Sequence, residues 1–598
     1  MAAKHLKLVK KRIGWLLLIF AVLYVGIAGR LFYIQVLRNE QYKRLADRLR
    51  LRQLVIAAER GAVYDRVGRQ LAVSVPACAV YAHPQKIRDK ERVASLLSSM
   101  MGIDGSVIEG ALSTRSRFAY LGRQLSPEVG ERVEHADLRA IGVLRESKRI
   151  YPLGTLACHV LGFTDVDGRG VEGLERTADQ SLAGRDGYTI AEVDPNGRII
   201  PETRRGSIPS VDGRDVVLTI DAYLQHAAEE ALRESAESCD AAGGTAIVLD
   251  PYTGEILALA NCPMFDPGNR RGASPAAWRD RGVTDLYEPG STMKLVTVAA
   301  GLEEGLSPTA AVATCTSAGM RIGKRRVHCP PHPPYGGGHG AVDMPRVIAE
   351  SCNVGAATIA LRIGPGRLYS YIKAFGLLEK PGSGLSGEVS SRLEPPQTWP
   401  TIKLANIGFG QGVSVTALQM ASAYAVIANG GNLIRLQIIR ELRDENGRVA
   451  TQFSPQVVRR VVSEQTARLV TEMLVGCVNE GTGKPSKIEG YTVAGKTGSA
   501  QKASTMGRGY VPGKFVASFM GFLPARNPRI VICVVIDEPR VDHSGAAVAA
   551  PVFKEIAQKA MWYLRVPPDQ ERGPGIAPAG GSIRAKELHD KLGAGHTG

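Results

Sequence analysis

The chain has 598 residues, 44% of them apolar and 22% charged, with a formal charge of +16. That length accommodates several domains and a large core, and that composition excludes wholesale disorder. A basic balance fits nucleic acid, an anionic membrane surface or an anionic glycan polymer. No nucleic-acid motif is present and aromatics are only 6%, so nucleic acid ranks last.

The N-terminus places Lys4, Lys7, Lys10, Lys11 and Arg12 ahead of an uncharged run from Ile13 to Gly29. With Arg30 snorkelling to an interface, a helix can extend to about residue 36 and span a membrane. No small-residue cleavage site follows, so the run reads as an uncleaved anchor rather than a signal peptide, and its basic flank predicts a cytoplasmic N-terminus. Residues 1–12 are thus a basic tail and 13–36 a transmembrane helix. The competing reading, a buried core helix, fits poorly behind five basic residues.

Residues 38–56, rich in Leu, Arg and Gln, read as a helix leaving the membrane, and 60–210 are mixed with frequent turn signals. Gly206–Gly213 is a linker, so 37–210 form one domain and 211–566 the next. In the second domain Val216–Ile220 reads as a strand and Ala222–Glu237 as a helix. Thr245–Asp250 and Glu255–Ala260 read as a hairpin. A mainly helical stretch covers about 285–480. Strands follow at 490–495, 515–522 and 530–536, then a terminal helix at 548–565. Strands at both ends of a long helical stretch predict one sheet with helices packed on it. From Pro567 to Gly598 the composition turns to Pro, Gly and charge, which predicts a disordered tail.

Nine cysteines are spread along the chain, which is not a disulfide framework. Cys315, His328, Cys329, His332 and His339 form a local cluster in which a Cys315–Cys329 disulfide or a zinc ion is possible. The Pro/Gly-rich segment 326–340 reads more simply as a loop with incidental histidines, so no metal is expected.

Three short motifs carry chemistry. Ser291 and Lys294 in Glu288-Pro-Gly-Ser-Thr-Met-Lys stand one turn apart at the start of an apolar helix, so the lysine can take the serine's proton if its pKa is lowered. Ser351-Cys352-Asn353 adds a hydroxyl and an amide 60 residues on. Lys496-Thr497-Gly498-Ser499, a further 145 residues from Ser351 to Lys496, adds a cation and hydroxyls among small residues that admit a substrate backbone. Each is weak alone; the ordered set is not. Gly490–Thr497 also satisfies the phosphate-loop pattern, with Ile532–Asp537 as an acidic strand end. However, Tyr491, Thr492 and Val493 prefer strand, and no helical period follows Thr497, so an NTPase is a poor fit.

With these motifs the chain resembles a class B penicillin-binding protein, a D,D-transpeptidase of peptidoglycan synthesis. The resemblance covers about residues 10–565. It includes Arg60-Gly-Ala-Val-Tyr-Asp65, Arg149-Ile-Tyr-Pro152, His159-Val-Leu-Gly-Phe-Thr-Asp-Val-Asp-Gly168, Gly173-Leu-Glu175 and Gly410-Gln-Gly-Val-Ser-Val-Thr416. The wording of the third and fifth phrases is most similar to the division-specific, FtsI-type septal enzymes, with elongation and sporulation relatives as alternatives.

The resemblance implies an α+β multidomain fold: one transmembrane helix, an elongated mixed pedestal of the dimerisation type, and a transpeptidase domain. That last domain would have a central antiparallel sheet flanked by helices plus an all-helical subdomain. It implies Ser291 as nucleophile, Lys294 as its base, Ser351, Asn353 and Lys496 as further catalytic groups, and Thr497, Gly498 and Ser499 at the substrate. No cofactor is implied. The partners implied are stem peptides and glycan strands of peptidoglycan, a SEDS-type (FtsW-like) glycosyltransferase and other divisome membrane proteins. A hydrolase or a β-lactam sensor shares the same trio. Two departures stand out: Cys352, where serine or aspartate is more familiar and whose side chain should either turn away from the Ser351/Asn353 face or line the cleft as a small apolar group, and alanine after Gly545.

Overall fold

The computed structural model describes residues 2–193, 199–329, 338–504 and 509–570. The first helix runs Ala2–Phe32, widens into a π turn over Tyr33–Leu37, and is followed by a second helix, Asn39–Arg50. The most apolar 18-residue window within residues 3–37 has a mean hydropathy of 2.1 and is wholly unburied. It is long and apolar enough to cross a membrane, and it is not a core helix.

The expected exit helix ends at Arg50. Leu51–Ile56 is instead a strand, paired antiparallel with Gly187–Val193, which pairs in turn with Ile199–Ile208. The β-branched Val55 and Ile56 favour this pairing over another helical turn.

A second correction concerns Asp215–Leu218. It belongs to a seven-stranded sheet with the pedestal strands Val63–Tyr64, Gln70–Ala82, Ala119–Leu125 and Ile141–Ile150, and with Ile439–Arg443 and Val449–Gln452 from far along the chain. Pedestal and second domain therefore share a sheet. Buried charges reinforce the joint. Glu175 accepts from Nε of Arg60 and Nε of Arg149, both at 2.7 Å, and Arg149 also donates to the Gly61 carbonyl at 2.9 Å. Asp65, fully buried, accepts from the backbone N–H of Arg69 at 2.8 Å and of Ala222 at 3.3 Å. The Arg60–Asp65 motif thus serves the domain junction, and Glu175 ties that motif to Arg149 within the pedestal.

The central sheet of the second domain is five-stranded and antiparallel, in the order Ile256–Cys262, Gly243–Leu249, Ile530–Asp537, Tyr510–Leu523, Ala494–Ala503. Strands from both ends of the domain meet in it. Gly243–Leu249 is buried along its whole length, which explains its lack of polar alternation: both faces are covered. Helices Ala222–Ser238 and Gly545–Tyr563 cover one face, and Ala417–Ala428, buried at every position, covers the other. Asp221 caps the first of these helices, accepting from the Tyr223 N–H at 3.0 Å, and takes a 3.1 Å bond from the Tyr563 hydroxyl. The helical subdomain also carries short antiparallel strand pairs, among them Ala313–Cys315 with Gly340–Val342.

The strand expected at 490–495 is displaced to Ala494–Ala503, because Gly490 turns the chain at φ +81° and Tyr491 closes a small bridge with Ile488. Residues 330–337 of the His/Pro-rich segment, including His332, and residues 571–598 of the expected tail lie outside the described residues. Of the tail's beginning, Asp569 accepts from the Thr492 N–H at 2.7 Å, so the fold continues past Pro567.

Candidate active site

Ser291 sits in a 3-10 turn, Gly290–Met293, that leads directly into the helix Lys294–Glu303. The turn is held from beneath. Gly290 adopts φ +54° and donates its N–H to the Gly410 carbonyl at 3.1 Å. Gly410, at φ +84°, lies so close that a Cβ there would come within 2.1 Å of the Gly290 oxygen. Glu288 accepts from the Gly412 N–H at 2.9 Å and from the Tyr510 hydroxyl at 3.0 Å, and the buried Tyr424 donates to the Thr292 carbonyl at 3.2 Å. The phrase Gly410–Thr416 therefore supports the serine turn.

Lys294 is fully buried, and its Nζ meets four oxygens: Ser291 Oγ at 2.8 Å, Ser351 O at 2.6 Å, Ser351 Oγ at 3.0 Å and Asn353 Oδ1 at 2.8 Å. Burial first, and the Lys496 ammonium second, push its pKa down to about 7. Two of the four neighbours, the Ser351 carbonyl and the Asn353 amide oxygen, can only accept. They take the two N–H groups of a neutral amine and leave its lone pair for a serine hydroxyl.

Ser351 donates from Oγ to Ser291 Oγ at 2.8 Å, so the two hydroxyls and the amine form one hydrogen-bonded cluster. Its backbone sits at φ +56°, an uncommon conformation for serine. Asn353 begins the helix Asn353–Ile363, and its amide donates to the His328 carbonyl at 3.0 Å. The Cys352 side chain turns away from this face, one of the two expected placements. Its sulfur caps the same helix, accepting from the Gly355 N–H at 3.3 Å.

Lys496 lies inside the edge strand, with its backbone in register with Met520. A strand is the wrong element for a phosphate loop, so the NTPase reading fails. Its side chain is fully buried, and burial lowers its pKa. The partners of its Nζ are the Thr497 carbonyl at 3.1 Å, Thr497 Oγ1 at 3.2 Å and Thr482 Oγ1 at 3.3 Å. Thr482 also shares a 2.9 Å bond with the Thr497 hydroxyl. Among the described residues this buried cation has only oxygen dipoles as partners, which makes the place attractive to an anion. Gly498 is required by space: a Cβ would meet Ser518 Oγ at 2.4 Å and Thr292 Cγ2 at 3.0 Å. Ser499 Oγ accepts from the Gly545 N–H at 3.0 Å, which ties the strand to the start of the last helix.

The structure thus joins Ser291, Lys294, Ser351 and Asn353 in one hydrogen-bonded group. Thr497 and Lys496 stand on the adjacent strand, packed against the serine turn through Gly498. Thr482 was not singled out from sequence. Its signal is the Gly481-Thr-Gly483 turn, where a Cβ on Gly481 would come within 2.2 Å of the Ala349 oxygen.

A hydroxyl, a buried amine able to be neutral and a buried cation define an acyl-transfer site of the serine–lysine type. Residues 244–558 match the penicillin binding protein transpeptidase domain, and residues 55–218 the penicillin-binding protein dimerisation domain. The chain is 34% identical over 567 residues to the probable peptidoglycan D,D-transpeptidase PenA of Neisseria meningitidis, spanning 93% of each chain. It is 32% identical over 559 residues to the peptidoglycan D,D-transpeptidase FtsI of Escherichia coli, spanning 90% of each. It also superposes on penicillin binding protein 3 of Mycobacterium tuberculosis, crystallised with aztreonam. That match has a TM-score of 0.67 and 30% identity, over 86% of this chain and 98% of that one. The chain belongs to the penicillin-binding proteins, and its dimerisation domain ahead of a transpeptidase domain places it in class B.

Proposed function

We propose that the protein is a membrane-anchored serine D,D-transpeptidase that cross-links peptidoglycan stem peptides in septal wall synthesis. The observation that carries this reading is the 2.8 Å approach of Lys294 Nζ to Ser291 Oγ inside a fully buried amine site. Neutral Lys294 takes the Ser291 proton as Oγ attacks the carbonyl between two terminal D-alanines. The backbone N–H groups of Ser291 and Ser499 hold the developing oxyanion, in keeping with the family's pattern. Ser351 passes the proton from Lys294 to the departing nitrogen, D-alanine leaves, and an acyl-enzyme remains. An amine of a second stem peptide then attacks the ester, returns its proton along the same path and frees Ser291.

Lys496, with the hydroxyls of Thr497 and Thr482, binds the donor's terminal carboxylate. Asn353 orients Lys294 and meets the peptide backbone. The exchange replaces one peptide bond with another, so no nucleotide is needed outside the cell.

The anchor and its basic flank support a cytoplasmic N-terminus with both folded domains on the outer side of the membrane. The chain holds no glycosyltransferase motif, so a separate polymerase of the SEDS type, contacted through the anchor and pedestal, supplies the glycan. The septal role rests on the wording of the His159–Gly168 and Gly408–Thr416 phrases.

The test is a donor peptide ending in D-Ala-D-Ala, incubated with the purified full-length protein with and without an amine acceptor. A cross-linked product that needs both the acceptor and Ser291 supports the reading. Release of D-alanine with water as the sole acceptor would make the protein a carboxypeptidase.

A further inference from the structure

Behind the Ser351–Asn353 motif, four side chains converge that the proposed reaction does not use. They are Cys315, Cys329, His339 and Cys352, all buried, with ligand atoms all within 4.8 Å of one another. Cys315 Sγ lies 3.6 Å from Cys329 Sγ, which lies 3.7 Å from Cys352 Sγ. No pair is bonded. The edge of a tetrahedron with Zn–S bonds of about 2.3 Å is roughly 3.8 Å, so three sulfurs and an imidazole already stand at ligand spacing. A disulfide could use only two of the three sulfurs and would leave the third beside an imidazole.

A second observation points the same way. The Asn353 N–H donates to Cys329 Sγ at 3.1 Å and the Gly355 N–H to Cys352 Sγ at 3.3 Å. Backbone donors aimed at sulfur are the outer contacts that a metal-bound thiolate needs. The ligands come from separate places: Cys315 ends one short strand, His339 precedes its partner strand, Cys329 follows a hairpin, and Cys352 caps a helix.

We propose that Cys315, Cys329, His339 and Cys352 form a structural Zn2+ site that fixes the Ser351–Asn353 motif. Three thiols lose their protons to solvent on binding and the imidazole binds neutral. All four positions are protein ligands, so the site is closed and takes no part in the chemistry. Its effect is positional. Cys352 is the middle residue of the motif, and Asn353 is tied to Cys329 through its backbone. The metal therefore holds in place Ser351, at φ +56°, and Asn353, whose oxygens surround Lys294. This proposal runs against the sequence expectation of no metal; of the five residues grouped there, His328 is exposed and its carbonyl accepts from the Asn353 amide.

Metal binding is independent of the proposed transpeptidase reaction; the effect on acylation rests on that reading. The test uses the full-length protein purified in detergent under reducing conditions. Mass spectrometry of the metal content is expected to find about one zinc per chain, in wild type and in Ser291→Ala alike. Cys315→Ser and His339→Ala should each lose it. Because those variants can unfold, cobalt exchanged into the wild type provides a second readout, a thiolate-to-cobalt charge-transfer band. Chelation should slow penicillin acylation roughly 10–100-fold, and added ZnCl2 should restore it.

No zinc in wild type even after incubation with ZnCl2, zinc retained by both variants, or a disulfide among the three cysteines in a parallel sample purified without reductant would each overturn the site. Zinc present but irrelevant to the acylation rate would overturn the positioning role. A zinc-loaded protein that never acylates would instead count against the transpeptidase reading.

Discussion

Lys294 Nζ lies 2.8 Å from Ser291 Oγ, and the acceptor-only oxygens of Ser351 and Asn353 occupy two more of its directions. Burial and the nearby Lys496 hold its pKa near 7. Below that pH the ammonium form dominates and cannot take a proton; above it the amine is free. Acylation by a penicillin, followed by stopped flow, should therefore rise with pH through about 7 and level off. Lys294→Met should lower the plateau by about 10²–10⁴-fold.

Lys496→Ala removes the cation that helps depress Lys294. The Lys294 pKa then rises, and the acid limb of the same profile should move to higher pH. Substrates bearing the terminal carboxylate should lose more than analogues that lack it, because the anion's partner is gone. An unchanged profile with uniform loss on both substrates would assign Lys496 a purely structural role.

Asn353→Asp places a carboxylate 2.8 Å from Lys294 Nζ, on the geometry of the present amide oxygen. An opposite charge favours the ammonium, so the acid limb should again move upward, further than in Asn353→Ala. Titration of the acylation rate in both variants checks the order.

Gly410→Ala puts a Cβ 2.1 Å from the Gly290 oxygen, in a backbone conformation at φ +84°. Backbone must move, and the serine turn moves with it. The expected result is slower acylation together with about 1–3 kcal/mol of lost stability, read from penicillin kinetics and urea unfolding.

Far from the serine, Glu175 is almost wholly buried between Arg60 and Arg149. Glu175→Ala leaves the buried Arg149 guanidinium without its anion, and Arg60 with only the partly exposed Asp179 at 2.7 Å, and should cost about 3–5 kcal/mol. The same unfolding measurement should show the loss, with the acylation rate of the folded fraction little changed.

The residues proposed for the chemistry are legible in the sequence because acyl transfer demands particular side chains: Ser291, Lys294, Ser351, Asn353 and Lys496 are visible as motifs, and the fold joins the first four in one hydrogen-bonded group. Local patterning also carried the hairpin Gly243–Cys262 and the helix after Asp221. What pattern could not carry was long-range partnership. Val216–Ile220 reads as a strand from its own residues, yet the strand that forms, Asp215–Leu218, takes its neighbours from position 63 and position 439. Leu51–Ile56 takes its conformation from Gly187–Val193. Thr482 is marked in the sequence only by its flanking glycines, and its contact with Lys496 comes from the fold. Cys315 and Cys352 are 37 residues apart, and only the packing of a hairpin on a helix brings them together.

The central claim is that Ser291 becomes acylated. Full-length protein exposed to a penicillin and analysed by intact-mass and peptide mass spectrometry should carry one adduct, on Ser291. Ser291→Ala should carry none, while retaining a wild-type unfolding transition. A covalent adduct persisting in folded Ser291→Ala, or mapping to another residue in wild type, would contradict the account.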